Sequence, residues 1–385
     1  MNGHNPETTG PSDWAERMRQ GMPSSDRWAY LDHAAVAPLP TVAADAMRDW
    51  IDDLARNGAT GWSHWRDRVE KLRRTAESLM GTDEQQIAVI RNTTEGVNLV
   101  AEGLDWHPGD NLVVPASEFP SNLYAWQHLA DRDVEVRVLP VDFDHVSYDA
   151  IEAACDEHTR LVAISWIGFR TGFRIDPGRV AEIAHRHGAW LFVDAIQGLG
   201  AFPLDVEAMG IDALAADGHK WLLGPEGAGV FYVRPPLMDC LRPLGLGWNS
   251  VRHAGDFSNT DLDLKPHAGR YEGGTYNMPG IAGLEASLGW LDGMGFERIG
   301  SNILEITDHL CEKLSVIGAR VSSNRTPEHS SGIVSFEMPG QSPRELMRAC
   351  RERDVIINCR DGRLRASPHA YSTSDDIDRL IDVLA

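Results

Sequence analysis

A chain of 385 residues is long enough for one large domain and one smaller one, and an apolar fraction of 42% marks it as globular rather than disordered. With 36 Lys and Arg against 57 Asp and Glu, the formal net charge is −21, which repels nucleic acid and anionic membrane surfaces and excludes both as partners. An anionic ligand must then be held by a local cluster of donors. Residues 1–28 read as a polar arm with a short helix over 13–20. Apolar runs then alternate with helical patterns. Residues 87–90 are strand-like, "TTEGVNLVAEGL" (93–104) is helix-like, and 111–116 and 134–140 are strands. A helix over 149–159 precedes a strand over 160–167, and "PGRVAEIAHRHG" (177–188) precedes the buried strand "AWLFVDAI" (189–196). "DVEAMG" (205–210) reads as helical, 211–217 as a strand and 227–234 as another. This alternation implies a mostly parallel sheet covered on both faces, with ligands beyond the carboxyl ends of its strands.

From about residue 275 the pattern becomes α+β. Helical stretches at 280–295 and 302–318 precede short strands at 332–338 and 355–360 and helices at 342–354 and 373–384. Five cysteines, none in a CxxC pair, point to reduced thiols, and "MNGHNPETTGPSDWAERMRQ" carries no signal-peptide core. No apolar run approaches the roughly 20 residues that cross a bilayer. A soluble, cytoplasmic protein is expected. His185 and His187 in "HRHG" do not share a helix face, so no metal site is expected there.

The chemistry centres on "ADGHKWLLGPEGAGVFYVR" (216–234). A lysine after a strand ordinarily sits at the surface, but Lys220 follows a strand whose predecessor ends in Asp194, and both leave the sheet at its ligand-binding edge. A carboxylate closing an apolar strand is costly unless a cation meets it. Lysine as Schiff-base former and aspartate as partner of a protonated pyridine nitrogen are the pair that pyridoxal 5'-phosphate (PLP) demands. Its phosphate needs donors, and "RNTTEGVNL" (91–99) supplies Thr93 and Thr94 at the start of a helix, where free N–H groups and the helix dipole favour an anion.

With these residues in place the sequence resembles the class V aminotransferase family of PLP enzymes, which includes cysteine desulfurases, kynureninase and isopenicillin N epimerase. The resemblance runs from "YLDHAAVAPLP" (30–40) to "RLIDVL" (379–384). It implies a fold type I PLP-transferase: an arm (1–29) packing with the small domain, a large domain (30–274) with a mostly parallel seven-stranded sheet between helices, and a smaller α+β C-terminal domain (275–385). "RNTTEG" resembles the phosphate loop. "SEFPSNLYAW" (117–126) is similar to the segment whose ring stacks on the cofactor, here Phe119. "VDAIQ" implies Asp194 on the pyridine nitrogen and Gln197 near the ring oxygen. "DGHK" implies Lys220 as the base and His219 near the phosphate. "RYEGGTYN" (270–277) implies a homodimer in which Thr275 reaches the neighbouring subunit's phosphate. "RASPHAYST" (365–373) points to Arg365 as the clamp for a substrate carboxylate, with Arg360 the alternative nearby.

The sequence departs from desulfurases in "CRDGRLRAS" (359–367), which has no cysteine between Gly362 and Arg365; Cys359 lies before the turn and closes a strand. "FRTG" (169–172) is closer to kynureninase-like and epimerase-like members. Trp62 and Trp65 fall in a loop-like stretch near the expected site entrance, and the roles of Arg170, Asp32 and His33 stay open. The expected function is aminotransferase or lyase chemistry at the Cα of an amino acid, ahead of epimerisation and then desulfuration. A non-catalytic PLP-fold binding protein is opposed by the retention of Lys220, Asp194, Gln197 and both threonines.

Overall fold

The computed structural model describes residues 11–141 and 144–385; residues 1–10 of the expected N-terminal arm lie outside the described residues. Seven strands build the large sheet: β1 (Ile87–Ile90), β2 (Asn111–Pro115), β3 (Glu135–Leu139), β4 (Thr159–Ser165), β5 (Trp190–Asp194), β6 (Ala213–Asp217) and β7 (Gly229–Val233). Their spatial order is β1-β7-β6-β5-β4-β2-β3. β7 runs antiparallel to both β1 and β6, and the other pairings are parallel. The mostly parallel seven-stranded sheet implied by the resemblance is therefore present.

Successive residues of these strands feed opposite faces. Val113, Val162, Leu191, Val193, Leu214 and Val230 pack toward the helices Trp62–Met80 and Met278–Met294, while Leu112, Leu161, Phe192, Ala215 and Phe231 pack toward the helix Thr93–Gly103 and Trp126. Burial on both faces explains the near-continuous apolar runs of the central strands. The helix Thr93–Gly103 sits so close to the sheet that a Cβ on Gly96 would fall 2.4 Å from the Ala215 Cβ. That approach brings the helix start to the end of β6, where the Asp217 N–H donates to Thr93 Oγ1 at 3.0 Å. Gly96→Ala must push helix and sheet apart, a cost of about 1–3 kcal/mol. Urea unfolding of the cofactor-free variant should report this loss, together with weaker cofactor binding as Thr93 leaves its place.

The second sheet is antiparallel: Asn358–Arg360, Arg363–Ala366, Val334–Glu337 and Arg320–Val321, in that order. Leu310, Leu314, Phe336, Leu364, Ile377 and Leu380 form its core, joined by Ala29 and Leu31 from the other end of the chain. Ala29–Tyr30 pairs in parallel with Val355–Ile356, and Arg19 meets the Asp376 carboxylate at 2.7 Å. Among the described residues, no helix is long and apolar enough to cross a membrane.

Two expectations are corrected. Residues 205–210 form a single turn rather than a helix: Asp205 Oδ1 accepts from the Ala208 N–H, and Gly210 at φ 66° ends the segment. A stretch that short does not repay helix nucleation. Conversely, Trp62 and Trp65 are not in a loop. They open the helix Trp62–Met80, which follows the helix Thr41–Asn57 across a glycine-flanked turn. Its buried residues Trp65, Val69, Leu72, Ala76 and Leu79 recur at helical spacing.

Candidate active site

β4, β5 and β6 run parallel and end side by side, with Ser165 level with Asp194 and Asp194 level with Ala215. The chain leaving β6 turns at once to present Lys220. Gly218 is required here, since a Cβ would lie 2.8 Å from the Ala228 carbonyl oxygen. The Leu223 N–H donates to the Lys220 carbonyl at 3.0 Å, and Leu223 sits at φ 52°, a left-handed conformation that a branched side chain adopts only when its surroundings impose it.

Lys220 opens onto a cavity of about 420 Å³ shared with Thr93, Thr94, Phe119, Asp194, Gln197, His219 and Arg365; Asn92, Ser121, Phe169, Asp217 and Arg360 complete much of its wall. The Lys220 Nζ lies 5.7 Å from the Phe119 ring centroid. Burial pulls the lysine down to about 8, against the upward influence of Asp194, with Arg365 adding to the fall. Burial likewise pushes the Asp194 carboxyl up to about 6, while the Ile196 N–H at 3.0 Å and Lys220 oppose the rise. Gln197 Nε2 donates to the Ala34 carbonyl at 3.0 Å, and its Oε1 accepts from Trp221 Nε1 at 3.0 Å, so the amide is held with one N–H to spare. His219 Nδ1 is 3.0 Å from an Asp217 carboxylate oxygen. The Thr94 hydroxyl donates to Ser121 Oγ at 2.8 Å.

Arg365 is 1% exposed. It donates to the Phe169 carbonyl at 2.7 Å and to Asp32 Oδ1 at 3.2 Å, and its Nε has no hydrogen-bond partner among the described residues. Asp32 is held on its other oxygen by Asn358 Nδ2 at 2.7 Å, and Asn358 in turn accepts from Arg360 at 2.9 Å. Arg360 lies on the boundary with a larger cleft that Asp32 also lines.

Other singled-out residues lie elsewhere. Thr275 is exposed on a second cavity of about 590 Å³, with Arg91 and Glu95. Arg170 is drawn to Asp361 at 3.0 Å. His33 is in the core, 2.8 Å from the Tyr371 hydroxyl, and burial pulls its ring down to about 4. Trp65 is buried with its indole N–H on Asp53 at 2.5 Å, and Trp62 is 40% exposed.

Glu118 is a buried carboxyl that the sequence reading did not single out. Glu118 precedes Phe119 and is 5% exposed. Its Oε1 accepts from the Ser165 N–H at 2.7 Å, and its Oε2 from Asn122 Nδ2 at 2.8 Å and from the Ser165 hydroxyl. No spacing rule marks it; its burial arises only when residue 118 meets the end of β4.

The Aminotransferase class-V family model matches residues 29–380. The chain belongs to this family. A probable cysteine desulfurase of Methanothermobacter thermautotrophicus is 32% identical, over 96% of this chain and 97% of that protein. An uncharacterised aminotransferase of Bacillus subtilis is 27% identical, over 96% and 97%. Among solved structures, the cystine C–S lyase C-DES in complex with cysteine persulfide superposes with TM-score 0.88 at 24% identity, over 94% of this chain and 98% of that one. The cysteine desulfurase CsdA of Escherichia coli does so with TM-score 0.85 at 25% identity, over 99% and 98%.

As a member of the class V aminotransferase family the protein is a PLP-dependent enzyme of fold type I. The donor set fits that cofactor. A buried amine lies over an aromatic ring, a buried carboxylate on the adjacent strand has room for a cationic partner, and a helix start with two hydroxyls faces the same space.

Proposed function

We propose that this enzyme acts at the Cα of an amino acid, by aminotransferase or lyase chemistry, with Lys220 as the catalytic base. The observation that carries this reading is the buried Lys220 amine, which shares a cavity wall with Asp194 and lies 5.7 Å from the Phe119 ring centroid, its proton affinity lowered by burial. When bound, PLP supplies a carbonyl that captures the substrate amine and a ring that withdraws the electron pair left at Cα.

The chain's own residues would do the rest. Lys220 Nζ anchors the cofactor covalently and then carries the Cα proton, a task suited to an amine whose affinity for a proton lies near the working pH. Asp194 holds the proton on the ring nitrogen. Thr93, Thr94, the N–H groups of their helix start and His219 hold the phosphate. Phe119 would pack against the bound cofactor, and the spare Gln197 N–H would be a donor available to it. Arg365, fixed by Asp32 and the Phe169 carbonyl, offers its free Nε to the substrate carboxylate. Thr275 belongs to the neighbouring subunit's site in a homodimer.

The test is direct. The purified protein should carry a visible absorption band, and borohydride should fix the cofactor on the peptide containing Lys220. Titration with a panel of amino acids then identifies the substrate by the band it shifts. A protein that stays colourless with added PLP sinks this reading.

A second reading, cysteine desulfurase, is favoured by the names of the relatives. It needs a mobile cysteine to accept sulfur. Between Asn358–Arg360 and Arg363–Ala366 the chain makes a tight turn at Asp361 (φ 47°) and Gly362 (φ 78°), and Cys359 is fixed in the first strand. Cys359→Ser is therefore expected to keep turnover of the identified substrate within about twofold of wild type, as for a small packing residue. A loss of sulfide or persulfide release on cysteine in this variant would move the assignment to desulfuration.

A further inference from the structure

Glu118 has no part in the roles set out above, yet it is an ionisable group enclosed at the back of the site. Burying a carboxylate is costly, and an apolar or amide side chain would fill the same volume without that cost. This one is not left loose. Three donors converge on it: the Ser165 N–H, the Ser165 hydroxyl and the Asn122 amide. Asn122 is itself fixed by the Trp126 indole N–H at 2.9 Å, and Trp126 is wholly buried. Ser165 stands level with Asp194 on the neighbouring strand, so the same residue that grips Glu118 borders the carboxylate assigned to the ring nitrogen.

The charges around it are few. Burial pushes Glu118 up to about 7, its hydrogen bonds oppose this, and the negative Asp194 adds to the rise. Asp194 is the charged group facing it, and Lys220 faces Asp194 from the loop after β6. Two carboxyls and one amine thus share a water-poor space.

We infer that Glu118 is a positioning residue that acts through Asp194: its carboxylate, locked by Ser165 and Asn122, adds negative potential behind Asp194 and so favours a cation against it, while its chain neighbour Phe119 is fixed over Lys220. This rests on the reading of Asp194 given above. The cation in question is the protonated ring nitrogen of the cofactor. With Glu118 neutralised, Asp194 holds such a proton less tightly, and the Lys220 amine loses part of its electrostatic support.

The experiment uses the PLP-loaded enzyme and its visible absorption as a function of pH. Glu118→Gln keeps shape and polarity and removes only the charge that Glu118 takes on as pH rises through about 7. The pH midpoint of the absorption change should fall by about one unit, the scale of one extra charge at close range in a partly buried site. Glu118→Asp should restore the wild-type midpoint. In an Asp194→Asn background the Gln substitution should add no further shift. An E118Q midpoint equal to wild type overturns the inference, whereas a wild-type protein with no visible band would instead overturn the reading of the site itself.

A cofactor-free readout is independent of this. The folded-state affinity of Glu118 for a proton is raised above that of an unfolded glutamate, so its stabilising contribution is present below about pH 4.3 and lost as pH rises through about 7. The urea stability of cofactor-free E118Q should fall less steeply across that window than wild type; an unchanged slope counts against an ionising Glu118. Should E118Q fail to fold, Asn122→Leu removes one donor to the carboxylate and must lower the absorption midpoint in the same direction, and an unmoved midpoint there overturns the inference.

Discussion

Lys220→Ala is expected to lower turnover of the identified substrate by about 10³–10⁴-fold, on the scale of losing a positioned general acid–base together with a covalent anchor. The reasoning is geometric before it is electrostatic. The tight loop from Gly218 to Gly224 leaves one amine in the cavity of about 420 Å³, and Leu223 at φ 52° shows that the surrounding structure imposes this shape. Burial and Arg365 lower the amine's affinity for a proton, with Asp194 opposing them, so a usable fraction is neutral near the working pH. Arginine in its place stays charged and should be as damaging as alanine, which separates proton transfer from mere positive charge. Steady-state kinetics with the substrate found in the amino acid titration, and mass analysis of the borohydride-treated protein, check both claims. An alanine variant retaining more than a tenth of wild-type turnover would dismiss Lys220 as the base.

The second large effect concerns stability. Glu272→Ala is expected to cost about 3–5 kcal/mol in urea unfolding of the cofactor-free protein, because it leaves Arg73 charged and buried with only the half-exposed Glu70 carboxylate, at 3.2 Å, as a charged partner. Arg73 and Glu272 make a two-pronged pair at 2.5 and 2.6 Å, with side-chain exposures of 6% and 1%. Burial alone would raise the Glu272 carboxyl; Arg73, Tyr276 and the Val89 N–H overcome this and hold it below the usual carboxylate range. The Val89 N–H at 2.6 Å and the Tyr276 hydroxyl at 2.6 Å would lose their acceptor as well. Replacing both members, Arg73→Met with Glu272→Leu, should recover much of the loss, since no lone buried charge remains. A Glu272→Ala cost below about 1 kcal/mol would mean that water reaches Arg73, against its observed burial.

The alternation of strands and helices from residue 87 to 233 is legible because the strands other than the edge strand β3 are apolar runs, and the sheet buries both of their faces. The helices at 41–57 and 62–80 are harder to read. Their buried residues are thinly spread among charges, and Gly58 and Gly61 disguise the junction of two successive helices as a loop around Trp62. The same contrast holds in the site. Lys220, Asp194 and Thr93 each stand at the end of a strand or the start of a helix, positions that local pattern reveals. Glu118 and Asp32 depend on what they meet in three dimensions, the Ser165 N–H for one and Arg365 for the other. Arg170 shows the converse: its place in "FRTG" drew attention to the site, but Asp361 holds it away.

The antiparallel strand β7 carries a consequence for how the chain is made. β1 finds its place in the large sheet only through β7, which is synthesised long after it. The helix bearing Thr93 and Thr94 follows directly from β1, so in a nascent chain lacking residues 229–233 only its contacts with β6, at Ala215 and Asp217, hold that helix beside the lysine. Pairings this distant in sequence are slow to form, because a long loop must close before any contact repays it. The pocket should therefore be among the last features to assemble, and ribosome-stalled fragments ending before β7 should fail to retain PLP while already protecting β4 and β5 from proteolysis.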